Sequence, residues 1–233
     1  MNQCLSPKIS KRVPGKYHLS LHTQPNYKGL PLTNCPNGFV GEYLDRLRCT
    51  ITCSAQSYSK VFAVRVDLHF PQYYMPYGQE VFSNEYLHVF IKALRRRLQH
   101  HKIQKQQEGK RVHHVGLEYV WAREYGPSSN KPHFHLLLLF NGHAFNSLGH
   151  FSNVHESLYN RIGESWGEAL GVHVTEGSKF THFPEIGQYM VDSRDPDQLA
   201  QVFCRASYLA KVATKNFHDG FHAFGCSRRS SIS

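Results

Sequence analysis

The chain reads as an α+β protein: a central antiparallel sheet with flanking helices, in a split β-α-β order. Three observations predict this. Two strand-like runs flank one turn-rich segment, two stretches between strands carry apolar residues at helical spacing, and a third helical stretch completes the order β-α-β-β-α-β-α.

Each element has a local cause. Val61, Ala63, Val66 and Leu68 lie in a β-rich run that stops at Pro71, which predicts the first strand. Ser83 or Asn84 then caps a helix whose Leu87, Phe90, Ile91, Leu94 and Leu98 share one face. Residues 112–124 alternate and are rich in Val, Tyr and Trp, giving a second strand. Residues 126–132, Gly-Pro-Ser-Ser-Asn-Lys-Pro, are turn chemistry. Residues 133–140 are apolar on both faces beyond their histidines, as in a central strand, and pair with the previous run as a hairpin. Leu158, Ile162, Trp166 and Ala169 mark a helix ending at Gly171. A short strand is expected over 172–175 and a last helix over 198–214.

A length of 233 residues suits one domain, or one domain with an arm. Residues 1–56 read as the arm. They hold Pro7, Pro14, Pro25, Pro31 and Pro36 with weak periodicity, so loose order is expected there, and 57–233 form the domain. Hydrophobic residues at 40% exclude general disorder. Lys plus Arg number 27 against 17 Asp plus Glu, a net charge of +10 whose natural partner is a polyanion, above all nucleic acid. The longest apolar run, residues 134–140, is far too short for a bilayer, so no membrane partner is expected. Residues 1–16 lack the apolar core of an export signal, and none of the six cysteines forms C-x-x-C; a cytoplasmic protein with reduced thiols is expected.

The sharpest local feature is His133-Phe134-His135. Residues two apart on a strand point the same way, so both imidazoles leave one face. Glu124, ending the preceding strand, comes within reach across the hairpin. The three make a His-His-carboxylate set with open coordination positions. With 17 histidines in the chain, the other reading is two strand histidines satisfied by water. On the last helix, Tyr208 lies opposite the stripe of Leu199, Val202, Phe203 and Ala206, with Lys211 one turn on and Arg205 and Lys215 nearby. Cations around a tyrosine turned away from the core suit a phosphate; a solvent-facing tyrosine is the alternative. Arg95, Arg96 and Arg97 form a further basic patch. Cations suit a helix C-terminus, but three adjacent arginines exceed that need and are expected to face phosphates.

A hydrophobic strand over 62–70, then His133-Phe134-His135, then Tyr208-Leu209-Ala210-Lys211 on a late helix, resembles the three ordered motifs of HUH endonucleases, the rolling-circle replication initiators. More narrowly, Arg65-Val66-Asp67-Leu68-His69-Phe70-Pro71 and Phe224-Gly225-Cys226-Ser227-Arg228 look like the filamentous-phage (inovirus) replication proteins, related to the YagK/YfjJ prophage proteins. The superfamily resemblance covers about residues 60–215 and rests on the order of short motifs. It implies a ferredoxin- or RRM-like HUH nuclease fold. It also implies nicking of single-stranded DNA at a replication origin, with Tyr208 as nucleophile, Lys211 beside it, and Mn²⁺ or Mg²⁺ held by Glu124, His133 and His135. A host helicase and polymerase would be partners in a bacterial cytoplasm. The sequence departs from the pattern at Asp67 and His69, where many initiators carry small or hydroxyl residues; both are placed around the metal ligands or on the polar face of an edge strand. Tyr189 lacks a following lysine and is the weaker nucleophile candidate.

The competing reading is a basic nucleic-acid-binding protein without catalysis, whose Tyr119, Trp121 and Phe134 would stack bases. Cupin and histidine-triad patterns fail here, because no Glu shortly follows the histidine pair and position 137 is Leu137.

Overall fold

The computed structural model describes residues 11–72, 74–75, 82–126, 131–149 and 157–228. In chain order the elements are β1 (Arg12–Val13), β2 (Lys16–His22), β3 (Asn26–Tyr27), β4 (Leu30–Pro31), β5 (Phe39–Val40), α1 (Gly41–Ser57) and β6 (Lys60–Leu68). Then come α2 (Glu85–Gln107), β7 (Leu117–Tyr125), β8 (Pro132–Asn141), α3 (Leu158–Leu170), β9 (Thr181–His182), β10 (Gln188–Asp192), α4 (Pro196–Ala206) and β11 (Phe224–Cys226). Two 3-10 helices, Val174–Phe180 and Ser207–Ala210, succeed α3 and α4.

The fold is α+β. Its main sheet runs β10-β6-β8-β7-β11 with β9 also on β6, and every pairing is antiparallel. The β6-α2-β7 crossover leaves room for β8 between its strands, which is the split arrangement expected from the element order. β8 is central, and its run of Leu136, Leu137, Leu138, Leu139 and Phe140 is buried on both faces because helices cover both. Even-numbered residues of β6 and β8 meet Leu87, Phe90 and Leu94 of α2 and Ile162 and Trp166 of α3. Odd-numbered residues of the same strands meet Leu44, Leu47 and Ile51 of α1 and Val202, Phe203 and Ala206 of α4. Among the described residues, no helix is long and apolar enough to cross a membrane.

Three sequence expectations need correction. The proline-rich arm is not loosely ordered throughout: residues 41–57 form α1, and Leu44 and Leu47 are fully buried against the sheet. The sequence carries a helical stripe there, but Gly41, Thr50, Thr52 and the cysteines dilute it. The expected strand over 172–175 is instead a bend that enters the 3-10 helix Val174–Phe180, which lies on α3. That close packing needs glycine, because a Cβ on Gly177 would fall into the backbone of Gly163 and Gly167. The last helix stops at Ala206 rather than Thr214, passing into the 3-10 turn that carries Tyr208. The turn at 127–130 and the first ten residues lie outside the described residues.

Candidate metal centre and tyrosine

The site is where the α1/α4 face of the sheet changes character. Along β6 that face reads Val61, Ala63, Arg65, Asp67; along β7, Val120, Ala122, Glu124; and along β8, Leu139, Leu137, His135, His133. Apolar residues lie under the helices, and polar ones begin where helical cover ends. Strand register then sets the partners. Glu124 pairs opposite His133, and His135 sits between Ala122 and Asp67. The period of two, read from sequence, therefore delivers the three expected ligands to one point.

One nitrogen of each histidine and one carboxylate oxygen of Glu124 all lie within 4.8 Å of one another. The Nε2 atoms of His133 and His135 face each other at 3.0 Å. His135 Nε2 is 3.5 Å from Glu124 Oε2. Behind it, His135 Nδ1 meets Asp67 Oδ1 at 2.5 Å. A carboxylate can only accept, so Nδ1 carries the proton, and a metal ion would take Nε2 in place of its contact with Glu124. Arg65 donates to the same Asp67 oxygen from Nε at 3.2 Å and Nη2 at 3.1 Å. His69 stacks on His133, ring centroids 5.3 Å apart. The two residues where the sequence departs from the initiator pattern thus both brace the ligand histidines.

Glu124 is buried and ringed by donors. Lys211 Nζ lies 2.9 Å from Oε2, Lys215 Nζ 2.9 Å from Oε1, and Thr214 Oγ1 donates at 2.6 Å. Burial pushes its carboxyl up, but the hydrogen bond to His135 and the Lys215 charge outweigh this and hold it well below the usual carboxylate range. Burial, with repulsion from His135 and His69, lowers His133 to about 4, so it is neutral at physiological pH. Burial lowers Lys215 to about 8 against the opposing pull of Glu124. The donor set fits a divalent cation: two imidazole nitrogens, one ionised carboxylate, and surrounding groups that fix their orientation.

Tyr208 is at the rim. Its ring centroid is 5.8 Å from that of His135. Lys211 Nζ sits 3.4 Å from the ring centre and Arg65 Cζ 5.3 Å from it, so two cations bracket the phenol. The spacing of Tyr208 and Lys211 survives the early end of α4, because side chains three apart eclipse in a 3-10 turn. A cleft of about 400 Å³ opens beside them, lined by Arg65, His182, Tyr189, Arg205 and Tyr208 over Leu137 and Val202. Thr33 and Phe39 of the N-terminal region reach this neighbourhood, through a Thr33 N–H to Ser207 Oγ bond of 3.0 Å and a bridge from Phe39 to Lys211.

The cations expected to touch phosphates separate. Arg205 is exposed at the cleft. Lys215 is at the centre, but its side chain is fully buried on Glu124. Arg96 and Arg97 pair with Glu164 and Glu168 of α3 on the other side of the sheet, and Arg95 lies over the Tyr119 ring. Arg97 is tied into the helix–helix contact, whereas Arg95 and Arg96 stay exposed to solvent. Sequence reasoning assigned no role to Arg65 or Thr214. The period of two that puts Asp67 on the site face does the same for Arg65, whereas Thr214 sits in a segment expected to be helical.

Residues 22–227 match the family described as the YagK/YfjJ C-terminal domain. Two Escherichia coli K12 proteins, each described as uncharacterized, are similar along nearly their whole length. YfjJ is 33% identical over 199 residues, covering 81% of this chain and 95% of YfjJ, and YagK is 33% identical over 193 residues, covering 79% and 90%. No solved structure matches. With its matched region spanning the whole sheet and both ligand strands, this chain belongs to the YagK/YfjJ C-terminal domain family.

Proposed function

We propose that the protein nicks and rejoins single-stranded DNA as a rolling-circle replication initiator of a phage, plasmid or prophage element. The observation that carries this reading is the meeting of three separate stretches of chain. His135 of the Glu124/His133/His135 set and Tyr208 line one open cleft, and Lys211 joins the two by contacting both Glu124 and the Tyr208 ring.

The Tyr208 oxygen attacks a backbone phosphorus, forming a P–O bond as the bond to the 3′ oxygen breaks. The phenol proton leaves, the 3′ oxygen gains a proton, and a 5′-phosphotyrosine remains. One phosphodiester replaces another, so rejoining needs no ATP. Glu124, His133 and His135 would hold Mn²⁺ or Mg²⁺, which supplies charge neutralisation for the phosphate oxygens when bound. Lys211 and Arg65 hold positive charge against the phenol ring, and Arg205 is placed to take a neighbouring phosphate. An origin single strand, a host helicase and polymerase, and a bacterial cytoplasm are the setting this chemistry calls for.

The test is incubation with labelled single-stranded DNA and Mn²⁺. An SDS-resistant, EDTA-sensitive conjugate mapping to the Tyr208 peptide is expected. Tyr208→Phe should abolish it and leave DNA affinity unchanged. A conjugate that persists in Tyr208→Phe, or DNA binding with no conjugate under any metal, overturns the reading; the latter result supports a binding protein without catalysis.

A further inference from the structure

We propose that the end of the sheet remote from the metal centre carries a second site, which binds phosphate groups of a nucleic-acid strand. The second helix is basic along its C-terminal half, but its middle arginines are taken up by α3. Its last turn is where the cations gather. A cavity of about 190 Å³ is lined there by His101, Lys105, Lys110, Arg111, His113 and His143, with Phe145 below.

The pocket is built by the chain. α2 closes with Gly109 in the left-handed region at φ +70°, its N–H bonded to Gln106 O at 3.0 Å and the Lys110 N–H bonded back to Lys105 O at 3.0 Å. This turn brings Lys110 and Arg111 back beside Lys105. Buried Asn141, at the end of β8, then pins both walls. Its Nδ2 donates to His114 O at 3.0 Å, and its Oδ1 accepts the His143 N–H at 3.0 Å. The His113 and His143 rings consequently stand 5.3 Å apart.

The charge balance favours an anion. Glu108 lies 2.6 Å from Lys110 and 3.8 Å from Lys105, but these exposed pairs hold weakly. Three fixed cations against one carboxylate leave the pocket positive before any histidine is protonated. Cations do answer the dipole of a helix C-terminus, yet Arg111, His113 and His143 lie outside the last turn and are not explained by it. The cavity is below the roughly 300 Å³ that small-molecule ligands occupy, and suits a tetrahedral oxyanion. Solvent-facing cations hold one free phosphate poorly. A strand that presents many phosphates gains from releasing its counterions at each contact. From His135 to Asn141 is about 20 Å along β8, so this pocket takes a different stretch of nucleic acid from the one at Tyr208. It rests on charge and geometry, independent of the triad and of the nicking chemistry.

The experiment is fluorescence anisotropy with a long labelled single strand in EDTA, across a KCl series. The comparison is wild type against the triple variant Lys105→Ala, Lys110→Ala, Arg111→Ala. The slope of log affinity against log salt should become shallower by about 2, at ~0.7 per lost phosphate contact. Glu108→Gln should tighten binding about twofold, the sign opposite to any folding defect. Conjugate formation by the triple variant at saturating DNA should be unchanged. An unaltered slope with an unaltered unfolding midpoint overturns the proposal. So does saturable binding of inorganic phosphate that the triple variant loses while its DNA slope stays the same, since the pocket is then a small-anion site. A shallower slope in a protein that never forms a conjugate upholds this site and rejects the nickase.

Discussion

Lys215 Nζ lies 2.9 Å from Glu124 Oε1, and no part of the Lys215 side chain reaches solvent. A lysine that composition suggests for a DNA surface is thus a buried counter-ion of a metal-ligand carboxylate. Removing one partner of such a pair leaves a buried charge uncompensated. Lys215→Met should cost about 3 kcal/mol, the low end for broken buried pairs, because Lys211 and Thr214 still contact Glu124. Mn²⁺ supplies the missing positive charge, so it should raise the unfolding midpoint of the variant more than that of wild type. Thermal unfolding of both proteins with and without Mn²⁺ reads this directly; equal shifts would remove Glu124 from the metal set.

Asp67 holds the proton-bearing Nδ1 of His135 at 2.5 Å and touches no reacting group. It acts through the ligand. Asp67→Asn keeps the shape but weakens the acceptor and loosens the Arg65 contact, and should lower Mn²⁺ affinity about tenfold with the fold intact. Calorimetric titration of metal into the DNA-free protein gives that number without recourse to activity. Unchanged affinity would make Asp67 an anchor for Arg65 alone.

The seam between α3 and the 3-10 helix Val174–Phe180 depends on three glycines. Gly177 abuts the backbone of Gly163 and Gly167, and Gly163 in turn faces Ser178. None of these atoms belongs to a flexible side-chain end, so an added methyl cannot be accommodated by a rotamer change. Gly177→Ala should destabilise by ~3 kcal/mol or more, at the upper end for overpacking. The urea midpoint measures it, and Gly171→Ala offers a contrast in which backbone strain at φ +68° acts without steric contact.

Short-range periodicity made one part of this molecule legible in its sequence. The β7–β8 hairpin, the common face of His133 and His135, and the approach of Glu124 all derive from a period of two and one turn. The rest depends on distant partners. Lys215 is buried because Glu124 sits opposite it 91 residues earlier in the chain, and no local pattern encodes that. Residues 41–57 form a helix because the sheet offers Leu44, Leu47 and Ile51 a surface, outweighing an unfavourable interior of threonine and cysteine. The 3-10 helix at Val174–Phe180 replaces an expected strand because Gly163 and Gly167 leave the face of α3 open to close approach.

Arg97 and Arg205 separate the two fates of the surface cations. Arg97 bonds Glu164 at 3.2 Å and Glu168 at 2.8 Å, joining α2 to α3 on the face away from the metal centre. Arg205 is exposed on the last turn of α4 and lines the Tyr208 cleft. Arg97→Ala should therefore lower unfolding free energy by about 1 kcal/mol, as partly exposed ion pairs do, and leave the salt dependence of DNA binding unchanged. Arg205→Ala should leave stability alone and make the salt slope shallower by about 0.7, the value of one single-strand phosphate contact. Denaturant titration and anisotropy on the same two variants test both halves. If Arg97→Ala moved the slope and Arg205→Ala did not, the nucleic acid would lie across the α2/α3 face, and the cleft at Tyr208 would lose its claim to the strand.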